Sequence, residues 1–372
     1  MTDTPLAGLR VVELSERGGA AYAGKVLRRL GASVTKLELA PGDRLRTTQS
    51  RPYGGSGGST TPAFDFFDEG KSTHLLRTQG DLLAALDGAD ALVLDLELRR
   101  YPDHWLDATA LSRLPTRVVC AITPFGLTGP YRDYAGPEIV TASFGGMTVG
   151  IGQPGRPPLK MPFMQTAIQA GLIAATSIMG ALFDPPHAEG AMVVDVSETD
   201  VWATVHAGTT MVAFLFSNRM RRREGRRVLG QPYPHQLFPC SDGWIAVQAS
   251  ERHQWESFVE MVGSPDFLTD RRFGSRMEMN FRHADEIDRL LAPWFAARTR
   301  AEIFEQCRAR RIPAAPVRSI SEVRADAELA EIGAFETYRN ASGVAITAPT
   351  PPFRFRNARL EPAGDVPAPP TT

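Results

Sequence analysis

Short apolar runs separated by helical patterns dominate the first part of the chain. One run extends from Leu9 to Leu14 and another from Ala32 to Leu39, and a helix with one apolar face is predicted over Tyr22 to Leu30. Short runs rich in β-branched residues are typical of buried parallel strands. The pattern therefore predicts a strand, a helix and a strand joined by a right-handed crossover.

The same alternation continues further along the chain. Strands are predicted at Ala91 to Leu94 and at Arg117 to Ile122, with helices at Asp81 to Leu86 and near Asp107 to Arg113. Strands that alternate with helices indicate an α/β fold with a large, doubly wound, mostly parallel sheet.

A different pattern begins after this region. The segment from Ala142 to Leu182 is rich in Gly, Ala and Met and contains a long helical pattern from Ala167 to Ala181. A strand at Met192 to Val196 and a long amphipathic helix at Ser197 to Phe214 follow. Together these elements predict that residues 1–218 belong to the large, Rossmann-like domain.

A second, smaller domain of the α+β type is predicted for residues 233–318. It contains a strand at Gly243 to Val247, and its helices are predicted at Trp255 to Val262, His283 to Arg298 and Arg300 to Arg310. Residues 219–232 are predicted to be a linker, and the Pro/Ala/Thr-rich tail from Ala363 is expected to fray.

Composition excludes several classes of protein. The 372 residues are 43% hydrophobic and carry a formal net charge of −1, and no apolar run approaches the ~20 residues of a membrane span. Because phosphate binding usually needs a basic excess, nucleic acid and membrane are not expected partners. The polar start of the chain indicates no secretory signal, and the three cysteines lack metal-ligand spacing. A cytoplasmic protein without a metal site is expected.

One basic run, Arg219 to Arg227, invites a nucleic-acid interpretation. A single run in an otherwise balanced chain is more often an exposed face. We therefore expect this run to be an exposed linker face or a contact to a partner subunit.

Short motifs along nearly the whole chain carry a family resemblance. In order, they are Pro5 to Ser15, Tyr22-Ala23-Gly24, Leu30-Gly31-Ala32, Lys36-Leu37-Glu38, Pro41-Gly42-Asp43 with Arg46, Gly70-Lys71, Gly126 to Tyr131, Asp242-Gly243, Arg272-Phe273 and Ile312 to Val317. In order and spacing they resemble the family III CoA-transferases, the group of formyl-CoA and carnitine CoA-transferases and α-methylacyl-CoA racemase. The resemblance implies that residues 319–372 return to the large domain and that two subunits form an interlocked dimer.

The resemblance also implies a ligand, CoA or an acyl-CoA thioester, and no covalently bound cofactor. Its nucleotide would lie on loops at the carboxyl ends of the parallel strands, where such ligands bind. The residues expected near CoA are Lys36, Arg44, Lys71, Arg99, Gly126, Thr128, Gly129 and Tyr131. A lysine just after a strand is, without the resemblance, more often a solvated charge.

The segment from Thr166 to Gly171 departs from the family pattern. It resembles the family's Asp-x-x-Ala-Gly turn, whose Asp attacks the thioester and holds the acyl group as a mixed anhydride. Here Ala167 stands at the Asp position, and no acidic residue occurs between Glu138 and Asp184. Alanine cannot form an anhydride.

Two further departures involve residues around the predicted site. The racemase branch uses a His after the Gly-Pro-Tyr loop for proton transfer, but this chain has Ala135-Gly136-Pro137-Glu138 there. Where the family has an Arg that reaches the nucleotide, this chain has Glu97, and Arg99 or Arg100 would substitute only with a register shift.

Three nearby residues are candidates to take over part of the missing function. Glu138 is the nearest carboxylate in sequence, and a structural role is favoured over a catalytic one because loop acids commonly accept backbone amides. Gln165 and Gln169 flank Ala167 and can hydrogen-bond a carbonyl, but they are poor acyl acceptors. The methionines Met147, Met161 and Met164 are expected either in flexible packing or in the wall of an acyl pocket.

Three functional hypotheses from different classes remain. The first is an enzyme that acts on CoA thioesters, by transfer through an unusual nucleophile or by isomerisation or elimination. The second is a non-catalytic subunit that pairs with an Asp-bearing paralogue, as an alternative to a homodimer. The third, a nicotinamide-dependent oxidoreductase, is disfavoured because no Gly-x-Gly-x-x-Gly follows the first strand.

Overall fold

A computed structural model describes residues 4–40, 42–47, 61–96, 108–185, 190–205, 223–228, 230–263, 266, 270–271 and 275–370. The described residues divide into two compact units. The large unit combines parts of Met1–Thr148, Lys160–Met220 and Ala327–Thr372, and the small unit combines parts of Val149–Leu159 and Arg221–Asp326. Residues 149–159, which the sequence analysis assigns to the large domain, thus group with the small unit.

The large unit is built on a parallel sheet of six strands in its described part. The strands are β1 (Arg10–Leu14), β2 (Ser33–Leu39), β3 (Ser72–Leu76), β4 (Ala91–Leu94), β5 (Val118–Thr123) and β6 (Met192–Ser197). Their spatial order is β3-β2-β1-β4-β5-β6, and every neighbouring pair is parallel. This is the strand order of a doubly wound sheet, and the predicted α/β fold class is confirmed.

Helices cover both faces of this sheet. They are α1 (Gly19–Arg29), α2 (Pro62–Phe67), α3 (Gln79–Leu86), α4 (Ala108–Leu111), α5 (Glu138–Phe144), α6 (Gln165–Leu182) and α7, described over residues 198–205. Successive strand residues point to opposite faces. Val11 and Val93 pack in one core cluster with α1 and α6, whereas Val12 and Leu92 pack in another with α3.

Helix α6 is a central part of the core. Its small residues Ala170 and Ala174 are fully buried and pack in the same cluster as Ala20 and Ala23 of α1. Among the described helices, α6 alone is long and apolar enough to cross a membrane by length and composition. Such a segment is also what a core helix of an α/β domain requires.

The described C-terminal residues, up to residue 370, pack against the large unit, where the sequence predicts a frayed tail from Ala363. They form a hairpin, β10 (Phe335–Arg339) and β11 (Ala345–Pro349), followed by an extended segment. Two backbone hydrogen bonds hold that segment. The Asp365 carbonyl accepts from the Gly70 amide (2.9 Å), and the Val366 amide donates to the carbonyl of Arg339 in β10 (2.8 Å). Backbone pairing of this kind is invisible in a Pro/Ala-rich composition.

The small unit has an antiparallel sheet of three strands, β7 (His235–Cys240), β8 (Gly243–Gln248) and β9 (Ala314–Pro316). Its helices are α8 (Arg252–Val262), Arg276–Glu278 with the π-helical turn Met279–His283, Ala284–Ala296, Arg300–Ala309 and Ile320–Arg324. The core contains stacked rings of Phe238 and Phe295, with centroids 4.2 Å apart.

The described part of the basic run is not an exposed linker face. Arg226 donates to the Asp288 carboxylate at 2.5 Å, and Arg227 contacts both Asp285 and Asp288. Asp288 also accepts from the Tyr233 hydroxyl at 2.7 Å. These arginines are therefore tied into the small unit by ion pairs, and residues 219–222 lie outside the described part of the chain.

Candidate functional site

The candidate site lies at the carboxyl ends of β1, β4, β5 and β6, where ligands bind in doubly wound sheets. Asp95, just after β4, organises the loop that follows β1. Its Oδ1 accepts from the amides of Glu16 (2.6 Å) and Arg17 (3.2 Å), and its Oδ2 accepts from the Ala20 amide (3.0 Å) and the Ser15 hydroxyl (3.1 Å). A side-chain acceptor at this place satisfies amides at the start of α1 that have no partner within the helix.

Position 167 faces this loop from the first turn of α6. Ala167 is the third residue of the helix and is 5% exposed. Gly18, with φ of +94°, lies against it, because a Cβ added at Gly18 would be 3.5 Å from the Ala167 Cβ and 2.6 Å from the Met164 Cε. The Ala167 side chain thus places a methyl group beside the β1–α1 loop.

Glu138 is held at the same end of α6. Its Oε1 accepts the backbone amide of Thr166 at 3.1 Å, and its Oε2 pairs with the Lys160 ammonium at 2.9 Å. The Thr166 hydroxyl in turn accepts from the Trp202 indole of α7 at 2.8 Å. Glu138 therefore stabilises an otherwise unpaired amide of the helix N-terminus, which is what a structural acid does.

The two glutamines differ in their surroundings. Gln165 is the first residue of α6 and is half-buried. The Oε1 atom of Gln169 is buried and accepts no hydrogen bond from any group in the described parts of the chain. A buried carbonyl oxygen without a donor is destabilising by about 1–3 kcal/mol, so the Gln169 amide is a reasonable candidate for contact with a bound molecule.

An ion pair that the sequence analysis missed links three loops of the site. Arg17, after β1, donates from Nη2 to the Glu198 carboxylate and to the Gly136 carbonyl, both at 2.7 Å. The Glu198 side chain is 3% exposed, and burial raises its pKa, although Arg17 opposes the shift. The available signal was an acid, Glu198, two residues after the predicted strand that ends at Val196.

The loop after β5 is built by glycines and by two side-chain acceptors. Gly126 and Gly129 have φ values of +88° and +86°, which other residues rarely adopt. The Gly126 amide donates to the Thr123 hydroxyl (2.8 Å), and the Leu127 amide donates to Asp195 Oδ2 (2.9 Å). These contacts hold the predicted CoA loop at the carboxyl end of β5.

Tyr131 of this loop is part of an aromatic cluster. Its ring centroid lies 5.9 Å from that of Phe125, 5.2 Å from that of Tyr134 and 5.7 Å from that of Phe144. Tyr131 is 45% exposed and Tyr134 is 56% exposed. The loop therefore presents aromatic surface to solvent, while the neighbouring Thr128 is also exposed.

The remaining predicted phosphate ligands are in different places. Lys36 and Lys71 are buried, with their ammonium groups bonded to the carboxylates of Glu13 and Asp68. This environment argues against the predicted phosphate contacts, because neither ammonium reaches solvent. Arg44 is exposed in the 3-10 helix Arg44–Arg46 after β2, and Arg99 lies outside the described residues.

Comparisons with known proteins agree with this architecture. The succinate–glutarate CoA-transferase of Agrobacterium fabrum is 25% identical over 87% of this chain and 83% of its own length. The beta subunit of succinyl-CoA–L-malate CoA-transferase of Chloroflexus aurantiacus is 23% identical over 87% of this chain and 81% of its own. A crystal structure of a CAIB/BAIF family protein from Brucella suis has the same fold, with a TM-score of 0.87, 24% identity and coverage of 99% of this chain and 97% of that chain.

A family model gives the assignment. The model described as CoA-transferase family III matches residues 6–370, and this match includes both units of the structure. The six-stranded doubly wound sheet of the large unit agrees with this match. The chain belongs to CoA-transferase family III.

Proposed function

We propose that this chain binds acyl-CoA thioesters at the carboxyl edge of the large-unit sheet and does not transfer acyl groups through an aspartyl anhydride. The observation that carries the proposal is the methyl group of Ala167 at the first turn of α6, packed against Gly18. A covalent acyl carrier needs a nucleophilic atom at the reacting centre. Position 167 offers none.

The neighbouring carboxylates are poorly suited to replace it. Both oxygens of Glu138 are engaged, one by the Thr166 amide and one by Lys160. Glu198 is buried and paired with Arg17. Hydrogen bonds and an adjacent cation stabilise a carboxylate and lower its reactivity as a nucleophile. Glu138 therefore remains a positioning acid in this proposal, beside Gln165 and Gln169.

The candidate residues for binding a thioester lie in loops at the carboxyl edge of the large-unit sheet. Arg44 and the loop from Gly126 to Tyr131, including Thr128 and Gly129, are our candidates for contacts with CoA. Reactions that need no acyl-enzyme, such as isomerisation or elimination on a CoA ester, stay compatible with this set of side chains. Gln169, with its unpaired Oε1, is the candidate to accept a hydrogen bond from an amide N–H of the pantetheine arm.

A second candidate function is that of a non-catalytic subunit in a heteromeric CoA-transferase. The relative from Chloroflexus aurantiacus is named as a beta subunit, so heteromers occur among proteins similar to this one. In such a complex, an Asp-bearing paralogue would supply the nucleophile and this chain would supply binding surface. A homodimer is the alternative assembly.

Calorimetric titration of the purified chain with CoA and with acetyl-CoA tests the proposal, together with its mass in solution. Binding in the micromolar range, corresponding to about −8 kcal/mol, would support a site in the chain itself. Replacement of Arg44 by Gln should weaken this binding, whereas replacement of the exposed Arg252 of the small unit by Gln should not. Absence of binding would refute the first candidate and favour the subunit.

A further inference from the structure

Five ionisable side chains form a buried cluster beneath the loop that follows β2. Its members, which we call the buried charge cluster, are Glu13 of β1, Lys36 of β2, Asp43 of the loop, and Asp68 and Lys71 before β3. The side chains of all five are either fully buried or nearly so. Charges removed from water in this way must be compensated inside the protein.

Each ammonium group has three oxygen neighbours: Lys71 donates three hydrogen bonds, and Lys36 donates two and forms an ion pair with Asp43. Lys36 Nζ contacts Glu13 Oε1 (3.1 Å), Asp43 Oδ2 (2.5 Å) and Asp68 Oδ1 (3.1 Å). Lys71 Nζ donates to Glu13 Oε2 (2.6 Å), to Asp68 Oδ1 (2.7 Å) and to the Ala21 carbonyl (2.8 Å). An ammonium has three donors, so both lysines are held in their charged form.

Three carboxyl groups therefore face two positive charges. The groups packed around the cluster are themselves paired: Glu38 with Arg46, Glu69 with Lys25, Arg28 and Arg29, and Glu336 with Arg29. In the described part of the chain, none of these outer cations forms an ion pair with Glu13, Asp43 or Asp68. The four outer cations and three outer carboxylates contact one another rather than the cluster, so one negative charge inside the cluster has no counterion in contact with it if all three carboxyls are ionised.

We propose that the buried charge cluster holds one proton, shared among its carboxyl groups at neutral pH, and that loss of this proton releases the loop Gly42–Thr47. The proton comes from solvent during folding and resides on a carboxyl oxygen as an O–H. Asp43 Oδ2 and Asp68 Oδ2 have no hydrogen-bond partner among the described groups, so oxygens are available within the cluster. Burial raises the pKa of Glu13 and of Asp43, whereas Lys36 and Lys71 outweigh burial and lower the pKa of Asp68, so Asp43 is the favoured place for the proton.

Asp43 is the member that release would affect most. Glu13 and Asp68 each contact both lysines, whereas Asp43 contacts Lys36 only. Asp43 also caps the 3-10 helix Arg44–Arg46 by accepting the Leu45 amide at 2.7 Å. When repulsion among three ionised carboxylates appears, Asp43 has the fewest ammonium contacts to lose, while Arg46 of the same loop stays bonded to Glu38. The exposed Arg44 would then move with it.

The sign of the pH dependence follows from the raised pKa values. The folded state binds the proton more tightly than the unfolded state, whose acids titrate near the ordinary values of 4.5 for Glu and 3.8 for Asp. This contribution to stability is full at low pH and decreases as pH rises toward the folded-state pKa. Alkaline conditions should therefore loosen the loop.

Infrared spectroscopy of the native protein and of Asp43→Asn tests the proton directly. The native protein should show the carbonyl stretch of a buried protonated carboxyl at neutral pH, and Asp43→Asn should lose it, because two carboxylates then balance two lysines. Glu13→Gln should behave in the same way, whereas Glu256→Gln, an exposed acid of the small unit, should retain the band. A native spectrum without the band would overturn the proposal.

Hydrogen exchange measured on peptides that contain residues 42–47 tests the release. After correction for intrinsic rates, the exchange rate of these peptides in the native protein should increase from mildly acidic to mildly alkaline pH. This increase should be larger than the increase in peptides from β4 and β5. In Asp43→Asn this increase should be absent. Equal increases in native protein and variant would contradict release by the shared proton.

Discussion

Ala167 lies in the first turn of α6, and it is the residue that we propose to correspond to the family's nucleophile. A Cβ added at Gly18 would lie 3.5 Å from the Ala167 Cβ and 2.6 Å from the Met164 Cε, so the β1–α1 loop approaches this turn closely. The alanine was visible in the sequence because the surrounding Ala-Gly turn marked the position. Its contact with Gly18 was not visible, because it depends on how two segments far apart in the chain pack.

The ion pair of Arg17 and Glu198 gives a prediction at the residue scale. Arg17→Met should destabilise the protein by about 3 kcal/mol, because it leaves Glu198 buried without a counterion. The pKa of Glu198 is already raised by burial, and loss of Arg17 raises it further. The destabilisation should therefore grow as pH rises above the ordinary value of 4.5.

Denaturant unfolding at several pH values measures this effect. The double variant Arg17→Met with Glu198→Gln is the matched control and should recover part of the lost stability, because the buried charge is then absent. If Arg17→Met alone is as stable as the native protein at alkaline pH, the pair has no structural role.

Lysine environments show where residue-scale prediction fails. Lys36 and Lys71 follow the family pattern of residues near a ligand edge, yet both ammonium groups are enclosed by carboxylates. The burial of these lysines depends on partners such as Glu13, which comes from a different strand, β1. A single sequence does not reveal such partners, so the charges were assigned to solvent and phosphate instead.

At the element scale, α6 packs against α1 through small residues. A Cβ added at Gly171 would lie 2.6 Å from the Gly19 carbonyl oxygen, whereas a Cβ at Gly180 of the same helix would meet nothing within 4 Å. Gly171→Ala should therefore destabilise the protein by about 1–3 kcal/mol through overpacking. Gly180→Ala should stabilise it by about 0.5–1 kcal/mol, because alanine favours the helix.

Thermal unfolding of the two variants provides the comparison. Both add one methyl group to the same helix, so differences in helix propensity cancel and the packing effect remains. Equal melting temperatures for the two variants would show that α1 and α6 do not approach as closely as the structure indicates.

Elements were predictable where burial is continuous. Strands β1, β4 and β5 were found from the sequence because they are apolar runs in the centre of the sheet. Strand β3, at the sheet edge, was missed because exposed residues alternate with less exposed ones along it. The C-terminal tail was wrongly expected to fray, since its bonds are made by backbone groups and leave no mark in composition.

At the scale of the whole molecule, α6 leaves an apolar surface uncovered in the single chain. Leu172 and Ile173 are 43% and 42% exposed, and Phe183 at the end of the helix is 91% exposed. Exposed apolar surface on this scale commonly marks an interface. We predict that the purified chain is a dimer in solution and that Leu172→Lys weakens the dimer.

Sedimentation velocity over a range of concentrations measures this equilibrium. Leu290→Lys, which changes a 57% exposed leucine of the small unit, serves as the control and should leave the mass unchanged. A monomeric native chain would contradict a homodimer and would direct attention to an Asp-bearing partner.

We propose that this member of CoA-transferase family III carries no acyl group on its own chain. Intact-mass spectrometry after incubation with succinyl-CoA and acetyl-CoA tests it, on the native protein, Ala167→Asp and Ala167→Asn. We expect no hydroxylamine-sensitive acyl adduct on the native protein or on Ala167→Asn. On Ala167→Asp we expect a detectable adduct, because the new carboxylate can attack a bound thioester. An acyl adduct on the native protein would contradict the account, and its position in the chain would identify the nucleophile.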